Sequence, residues 1–188
     1  MTEHDDERAL DEQALDETAI GELRATIAAA VERLSAADAR TEALAQYVPE
    51  HRTLLIKRNA VMTPIGRVWR LGVFLLGEDG TLYRTGSLTR AVEPGRPAYQ
   101  SLSAETRREY RAAASRGKFT EGESVNYDAE VVELTREALR DADGPLFLHD
   151  GAALVRWNPR ATVDTATPFS AYLADRVDLA VNPPAGAN

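Results

Sequence analysis

Apolar residues recur at alternating spacings of three and four positions along the first fifty residues of the chain. The members of this stripe are Ile20, Leu23, Ile27, Ala30, Leu34, Ala37, Thr41, Leu44 and Val48. Such spacing aligns side chains along one side of a helix and predicts a helical arm over residues 9–48. Ser35 and Asp38 resemble a capping box, at which the arm can break into two helices. The acidic, polar residues 1–8 are expected to be disordered.

The pattern changes to that of strands in the middle of the chain. Residues 71–76 are apolar on both faces, which indicates a central strand. Asp79-Gly80 separates this run from a second one over residues 82–89, and Asp-Gly between two such runs is a strong hairpin signal. A two-residue loop sets a register in which Leu76 faces Tyr83.

A second Asp-Gly pair, Asp150-Gly151, predicts another hairpin nearer the C-terminus. Its register places Phe147 opposite Leu154 and Leu146 opposite Val155. Both hairpins follow from the same property, because aspartate and glycine tolerate the positive φ angles of tight turns.

The remaining patterns complete an α+β fold. Apolar and polar residues alternate over residues 124–133, as in a half-exposed strand, and helical patterns cover residues 103–116, 135–140 and 168–179. We therefore expect an antiparallel sheet built from the two hairpins and the 124–133 strand, packed by helices. This compact domain would span residues 50–181, between the helical arm and a flexible tail at 182–188.

Charge is distributed unevenly along the chain, whose net charge is −8. Residues 1–50 carry thirteen acidic and four basic side chains, whereas residues 51–100 carry three acidic and eight basic ones. The middle of the chain is therefore the predicted anion-binding surface.

Five residues of this basic segment are the candidates for ligand contact: Arg67, Trp69, Arg70, Arg84 and Arg90. In the first hairpin's predicted register, Arg70 faces Thr89 and Trp69 faces Arg90, so guanidinium groups would lie beside an indole. Arginine pairs bind carboxylate or phosphate in a bidentate manner, and the ring could stack. The alternative is that these arginines pair with carboxylates of the chain itself, on the acidic arm or on the 103–116 helix.

Few residues could form a catalytic site. The chain has no cysteine, which excludes thiolate nucleophiles and thiolate metal sites, and with only three histidines it predicts no metal and no cofactor. Ser115 and Lys118 have the Ser-x-x-Lys spacing of penicillin-recognising hydrolases and serine-type glutaminases, and His149 could act in acid–base chemistry. The alternative is a helix end with cations at its negative pole and a surface histidine beside a turn.

Five blocks of sequence carry a family resemblance. They are Trp69-Arg-Leu-Gly-Val-Phe-Leu-Leu, Arg107-Arg-Glu-Tyr-Arg-Ala-Ala-Ala, Gly122-Glu-Ser-Val-Asn-Tyr-Asp-Ala, Val155-Arg-Trp-Asn-Pro and Tyr172-Leu-Ala-Asp-Arg-Val-Asp-Leu. Over roughly residues 50–185 the chain resembles a family of small uncharacterised proteins from GC-rich bacteria. Some members carry the label glutaminase, which implies, as an alternative function, a small hydrolase acting on an amide such as glutamine. The resemblance assigns no catalytic residue.

These observations favour a non-catalytic binding or regulatory module. It would hold an anionic small molecule on its arginine-rich surface and would self-associate, or meet a protein partner, through residues 20–48. The acidic balance and the presence of only two lysines disfavour nucleic acid. The longest apolar run, residues 71–76, is far short of the roughly twenty residues of a membrane span, and a cysteine-free composition fits the cytoplasm.

Overall fold

The structure, a computed structural model, describes residues 3–53, 56–95, 102–140, 143–158 and 162–184. Its helices are α1 (Glu3–Ala36), α2 (Leu102–Ser115), α3 (Arg136–Arg140) and α4 (Phe169–Val181). Its strands are β1 (Glu42–Val48), β2 (His51–Thr53), β3 (Ile56–Arg58), β4 (Val61–Leu71), β5 (Phe74–Gly77), β6 (Leu82–Arg84), β7 (Ser87–Arg90), β8 (Ser124–Tyr127), β9 (Glu130–Val131), β10 (Leu146–His149), β11 (Ala152–Val155) and β12 (Thr167–Pro168). The predicted α+β class is confirmed.

The chain divides into two compact units, each assembled from separate stretches of sequence. The first unit comprises Met1–Arg40, Leu71–Arg84 and Val131–Asn188, and the second comprises Thr41–Arg70 and Thr85–Glu130. Because the polypeptide passes between the units repeatedly, neither one is a simple N-terminal or C-terminal domain.

Helix α1 belongs to the core of the first unit. Its stripe is buried within this unit, where α1 packs against α4, β11 and α3. The buried members on α1 are Ile20, Leu23, Ile27, Ala30 and Leu34, and the neighbouring Ala19 is buried with them. The side chain of Asp16 is also buried, and its Oδ2 accepts hydrogen bonds from Arg136 Nε at 3.1 Å and Arg140 Nε at 2.6 Å. Apolar burial and a charged anchor together fix α1 on its own unit.

The predicted arm is correct over its first part only. Helix α1 is continuous from Glu3, inside the segment expected to be disordered, and it ends at Ala36. Asp38 follows with φ at +47°, and residues 42–48 form strand β1 rather than a second helix. Strand β1 is buried at three successive positions, 43–45, and is paired on both sides, by β4 and by β8. Hydrogen bonding to two neighbouring strands outweighs a helical spacing that was already diluted by alanine and threonine.

The first hairpin, β5–β6, forms with a longer turn than predicted. The Gly77 and Thr81 backbones are hydrogen-bonded, so the loop contains the three residues 78–80, and Gly80 has a φ of +83°. A three-residue loop ending in a left-handed glycine is a common hairpin connection. Leu75 therefore lies opposite Tyr83 and Leu76 opposite Leu82, so the predicted register is wrong by one residue.

The apolar run over residues 71–76 is not a single strand. Strand β4 ends at Leu71, and β5 begins at Phe74 after a turn at Gly72-Val73. Gly72 has a φ of +70°, and a Cβ at this position would overlap Oη of Tyr172. That hydroxyl accepts a hydrogen bond from the Val73 N–H at 2.9 Å and donates one to the Leu71 carbonyl at 3.3 Å. Helix α4 thus fastens the turn.

The second hairpin, β10–β11, has the predicted register. Leu146 lies opposite Val155, and Phe147 lies opposite Leu154. Strand β12 adds to β11, so this hairpin forms its own three-stranded sheet and does not share one sheet with β5–β6. Helix α4 forms over most of the predicted residues 168–179 and buries four side chains at helical spacing, which are Phe169, Tyr172, Leu173 and Val177.

The second unit contains a mixed sheet in the order β7-β8-β1-β4. Strands β7 and β8 are antiparallel, β1 and β4 are antiparallel, and β1 runs parallel to β8. The predicted 124–133 strand is interrupted at Asp128, which has a φ of +54°, and residues 125–127 are all buried instead of alternating. Helix α2 places Ala113 and Ala114 in the core beside Val125. Such small side chains allow a helix to approach a sheet closely.

In the ranges that the structure describes, every helix is too short or too polar to cross a lipid bilayer.

Candidate anion-binding site

Two of the predicted ligand-binding arginines, Arg67 and Arg70, are bound by side chains of the second unit itself. Arg67 forms an ion pair with Glu123 and also donates hydrogen bonds to Oγ1 and the carbonyl of Thr41. Arg70 lies 3.2 Å from the Glu42 carboxylate and donates a hydrogen bond to Asn126. Arg70 therefore links β4 to β1 and β8, and Arg67 links β4 to the residues that directly precede those two strands.

Of the other three predicted residues, Trp69 is buried, Arg84 lies on β6 in the first unit, and Arg90 lies on β7 in the second. The predicted pairings of Arg70 with Thr89 and of Trp69 with Arg90 are wrong. Strand β7 pairs with β8, so Thr89 lies opposite Val125 and Arg90 opposite Ser124. A close approach of Gly86 to the backbone of residues 127–128, where a Cβ would not fit, holds β7 in this position.

The three candidate catalytic residues lie in two different units. Ser115 is the last residue of α2 and Lys118 follows in a loop, both exposed and both in the second unit. His149 ends β10 in the first unit, and its Nε2 lies 3.5 Å from the Asp150 carboxylate. Within the described ranges, no three histidine, aspartate or glutamate side chains come together in an arrangement that could hold a metal ion.

Helix α2 and strands β7 and β8 border a cavity of about 470 Å³ in the second unit that is open to solvent. We call it the arginine–tyrosine cavity. Its lining residues are Leu88, Thr89, Arg90, Val92, Arg107, Tyr110, Arg111 and Tyr127. Its volume falls within the range of about 300 to 1,000 Å³ that is usual for small-molecule sites.

Three arginines give this cavity a strong positive charge. Arg107 and Arg111 are one turn apart on α2, and Arg90 ends β7 beside them. Among the described residues, no carboxylate forms an ion pair with any of the three and none lines the cavity. Arg107 Nε donates a hydrogen bond to the Ser103 carbonyl at 3.1 Å, which still leaves its terminal nitrogens available. All three side chains are exposed, so their charges face incoming solutes.

Tyrosine rings, together with Leu88 and Val92, form the apolar part of the cavity. The centroids of Tyr110 and Tyr127 are 4.8 Å apart, and Tyr47 contacts Tyr110 edge-on at 5.1 Å. Burial raises the pKa of Tyr127, and the nearby Tyr110 and Asp128 act in the same direction, while a hydrogen bond with Ser87 opposes them. Its phenol therefore stays neutral near pH 7 and adds no negative charge to the site.

Sequence reasoning predicted the 103–116 helix but did not single out Arg107, Tyr110 or Arg111. Their spacing of three and four places them on one face of a helix, which was the available signal. The sequence could not show that β7 lies beside this face of α2, because the position of β7 depends on its pairing with β8. Of the five predicted contact residues, Arg90 is the one that lines this cavity.

No family model, no curated protein and no solved structure matches this chain.

Proposed function

We propose that the protein is a non-catalytic binding module whose arginine–tyrosine cavity takes a small organic anion. The observation that supports this most is the convergence of Arg90, Arg107 and Arg111 on one cavity without a carboxylate among its described lining. Guanidinium groups bind carboxylate and phosphate oxygens through charge-assisted hydrogen bonds. The rings of Tyr110 and Tyr127 favour a ligand that also carries a flat or apolar part. The proposal keeps the cytoplasmic location expected from the sequence.

A small anion suits the cavity better than a nucleic acid does. Polymer binding relies on many phosphate contacts along an extended basic surface. Here the net charge of the chain is −8, and the three arginines of the proposed site all line one small cavity. The same side chains suffice for a single phosphate or carboxylate, which needs only two or three donors.

Hydrolysis of an amide receives less support. Ser115 and Lys118 are both exposed, and neither is among the described residues that line the arginine–tyrosine cavity. Efficient acyl transfer needs a nucleophile and a base in hydrogen-bonding contact at a site sheltered from water. Association through residues 20–48 also receives less support, because the apolar stripe of α1 is buried in its own unit.

Replacing Arg107 and Arg111 together with glutamine is expected to weaken the binding of phenyl phosphate about 100-fold, at about tenfold for each lost charge-assisted contact. Titration calorimetry with the full chain would measure the dissociation constants. Benzoate is expected to show the same dependence on the two arginines, and benzylamine, a cation, is expected not to bind.

The matched control is Arg52→Gln/Arg58→Gln, which also removes two positive charges, from exposed positions on β2 and β3 of the same unit. It should leave the binding of phenyl phosphate nearly unchanged. Equal weakening by the two double substitutions would mean that general charge attraction explains the binding, and the proposed site would be wrong. Release of ammonia from glutamine that Ser115→Ala abolishes would instead identify the protein as a hydrolase.

A further inference from the structure

The first unit contains a second cavity, of about 490 Å³, whose chemistry differs from that of the arginine–tyrosine cavity. We call it the Trp157 cavity. It is bordered by the Gly72-Val73 turn, by Thr167 and by the face of α4 that carries Tyr172, Asp175 and Arg176. It therefore offers aromatic surface together with one cation and one anion.

The aromatic surface is accessible from solvent at one point. Trp157 is 60% exposed, although indole is one of the largest apolar groups a protein can bury. Tyr172 is buried instead, and its hydroxyl is fixed by hydrogen bonds to the backbone of Leu71 and Val73. An exposed indole beside a rigid cavity wall is suited to pack on a flat or apolar side chain.

The two charges sit next to each other on α4. The Arg176 guanidinium lies 3.3 Å from the Asp175 carboxylate, with 40% and 62% of their side chains exposed. A pair this exposed is held weakly, so both groups can accept an additional partner. Arg176 also stands over the Tyr172 ring, 5.3 Å from its centroid, and its buried Nε has no hydrogen-bond partner among the described residues. Tyr172 therefore positions the Arg176 guanidinium, which still has an N–H group without a hydrogen-bond acceptor among the described residues.

We infer that the Trp157 cavity binds a free amino acid with a flat or apolar side chain. In this arrangement Arg176 would bind the α-carboxylate, Asp175 would bind the α-ammonium group and Trp157 would cover the side chain. A lining with one positive and one negative group complements a zwitterion, whereas an anion or a cation alone would leave one of them opposed by like charge. The inference rests on the first unit and is independent of the function proposed for the second.

Three related probes test this inference on the full chain: L-phenylalanine, 3-phenylpropanoate, which lacks the ammonium group, and 2-phenylethylamine, which lacks the carboxylate. Trp157 and Trp69 are the two tryptophans of the chain; Trp69 is buried and is not among the described lining residues of this cavity, so a change of tryptophan emission caused by a ligand there is assigned to Trp157. L-Phenylalanine is expected to change the emission saturably. Each comparator should bind about tenfold more weakly, for the loss of one charge-assisted contact.

Two charge variants assign the contacts. In Asp175→Asn, L-phenylalanine and 3-phenylpropanoate should bind equally, and in Arg176→Gln, L-phenylalanine and 2-phenylethylamine should bind equally. Arg52→Gln, on an exposed strand of the second unit, should behave like the unaltered protein. If the three probes bind the unaltered protein with equal affinity, or if the emission change with L-phenylalanine does not saturate, the inference is overturned whatever the variants do.

Discussion

Replacing Asp16 with alanine is expected to lower the free energy of unfolding by about 3 kcal/mol, the scale of losing two charge-assisted hydrogen bonds. The Asp16 side chain is 2% exposed, and one of its oxygens accepts hydrogen bonds from both Arg136 and Arg140 of α3. Alanine would leave Arg136 without its carboxylate and Arg140 with Glu12 alone, and it would remove the charged contact between α1 and α3. Urea unfolding followed by circular dichroism measures the loss.

Two further variants separate charge from packing in this prediction. Asp16→Asn keeps an acceptor oxygen and should be destabilised by less than Asp16→Ala. Glu12→Ala removes the other carboxylate bound to Arg140, but Glu12 is 53% exposed and should matter far less. Equal stability of the Asp16→Ala and Glu12→Ala variants would contradict the anchoring role given to the buried carboxylate.

The second large effect is expected at the turn between β4 and β5. Gly72→Ala should lower the free energy of unfolding by about 3 kcal/mol, from a left-handed backbone angle and from displacement of the Tyr172 hydroxyl. The added Cβ would overlap that hydroxyl and disrupt its bonds to the backbone of Leu71 and Val73. Thermal unfolding monitored by tyrosine fluorescence and circular dichroism would measure the change.

Gly80→Ala is the matched control for this prediction. Gly80 has a comparable φ of +83°, but no atom outside its own chain neighbours lies within 4 Å of the position of its Cβ. Gly80→Ala should therefore lower the free energy of unfolding by about 1 kcal/mol, from the backbone strain alone. If both alanine variants lose the same stability, Tyr172 does not fasten the Gly72-Val73 turn as described.

The sequence predicted those elements whose signals are local. The β10–β11 register follows from the Asp150-Gly151 turn, and the apolar face of α4 follows from helical spacing; both are confirmed. The β5–β6 register failed because Asp-Gly fits both a two-residue loop and the end of a three-residue loop. One extra residue in the loop shifts every pairing by one.

Elements that depend on distant partners were not predictable in this way. Residues 42–48 form a strand because β4 and β8 pair with them from both sides, and neither partner is adjacent in sequence. The run at residues 71–76 was read as one strand because Gly72 gives no local sign of the turn that Tyr172 stabilises from about a hundred residues away. Long-range contacts decide both cases.

The candidate site illustrates the same division. The sequence correctly marks the middle of the chain as rich in arginine, but Arg67 and Arg70 are bound by Glu123 and Glu42, which come from other parts of the second unit. Charge counting cannot distinguish arginines that link strands from arginines that face a cavity. Arg90 becomes a candidate because β7 brings it to Arg107 and Arg111 of α2.

The most direct test is an amide NMR titration of the isotope-labelled chain with phenyl phosphate. We expect saturable shifts concentrated at Thr89, Arg90, Arg107 and Arg111, around the arginine–tyrosine cavity. Saturable shifts concentrated instead at Arg67 and Arg70 of β4, or shifts that grow linearly over the whole surface without saturation, would contradict this expectation.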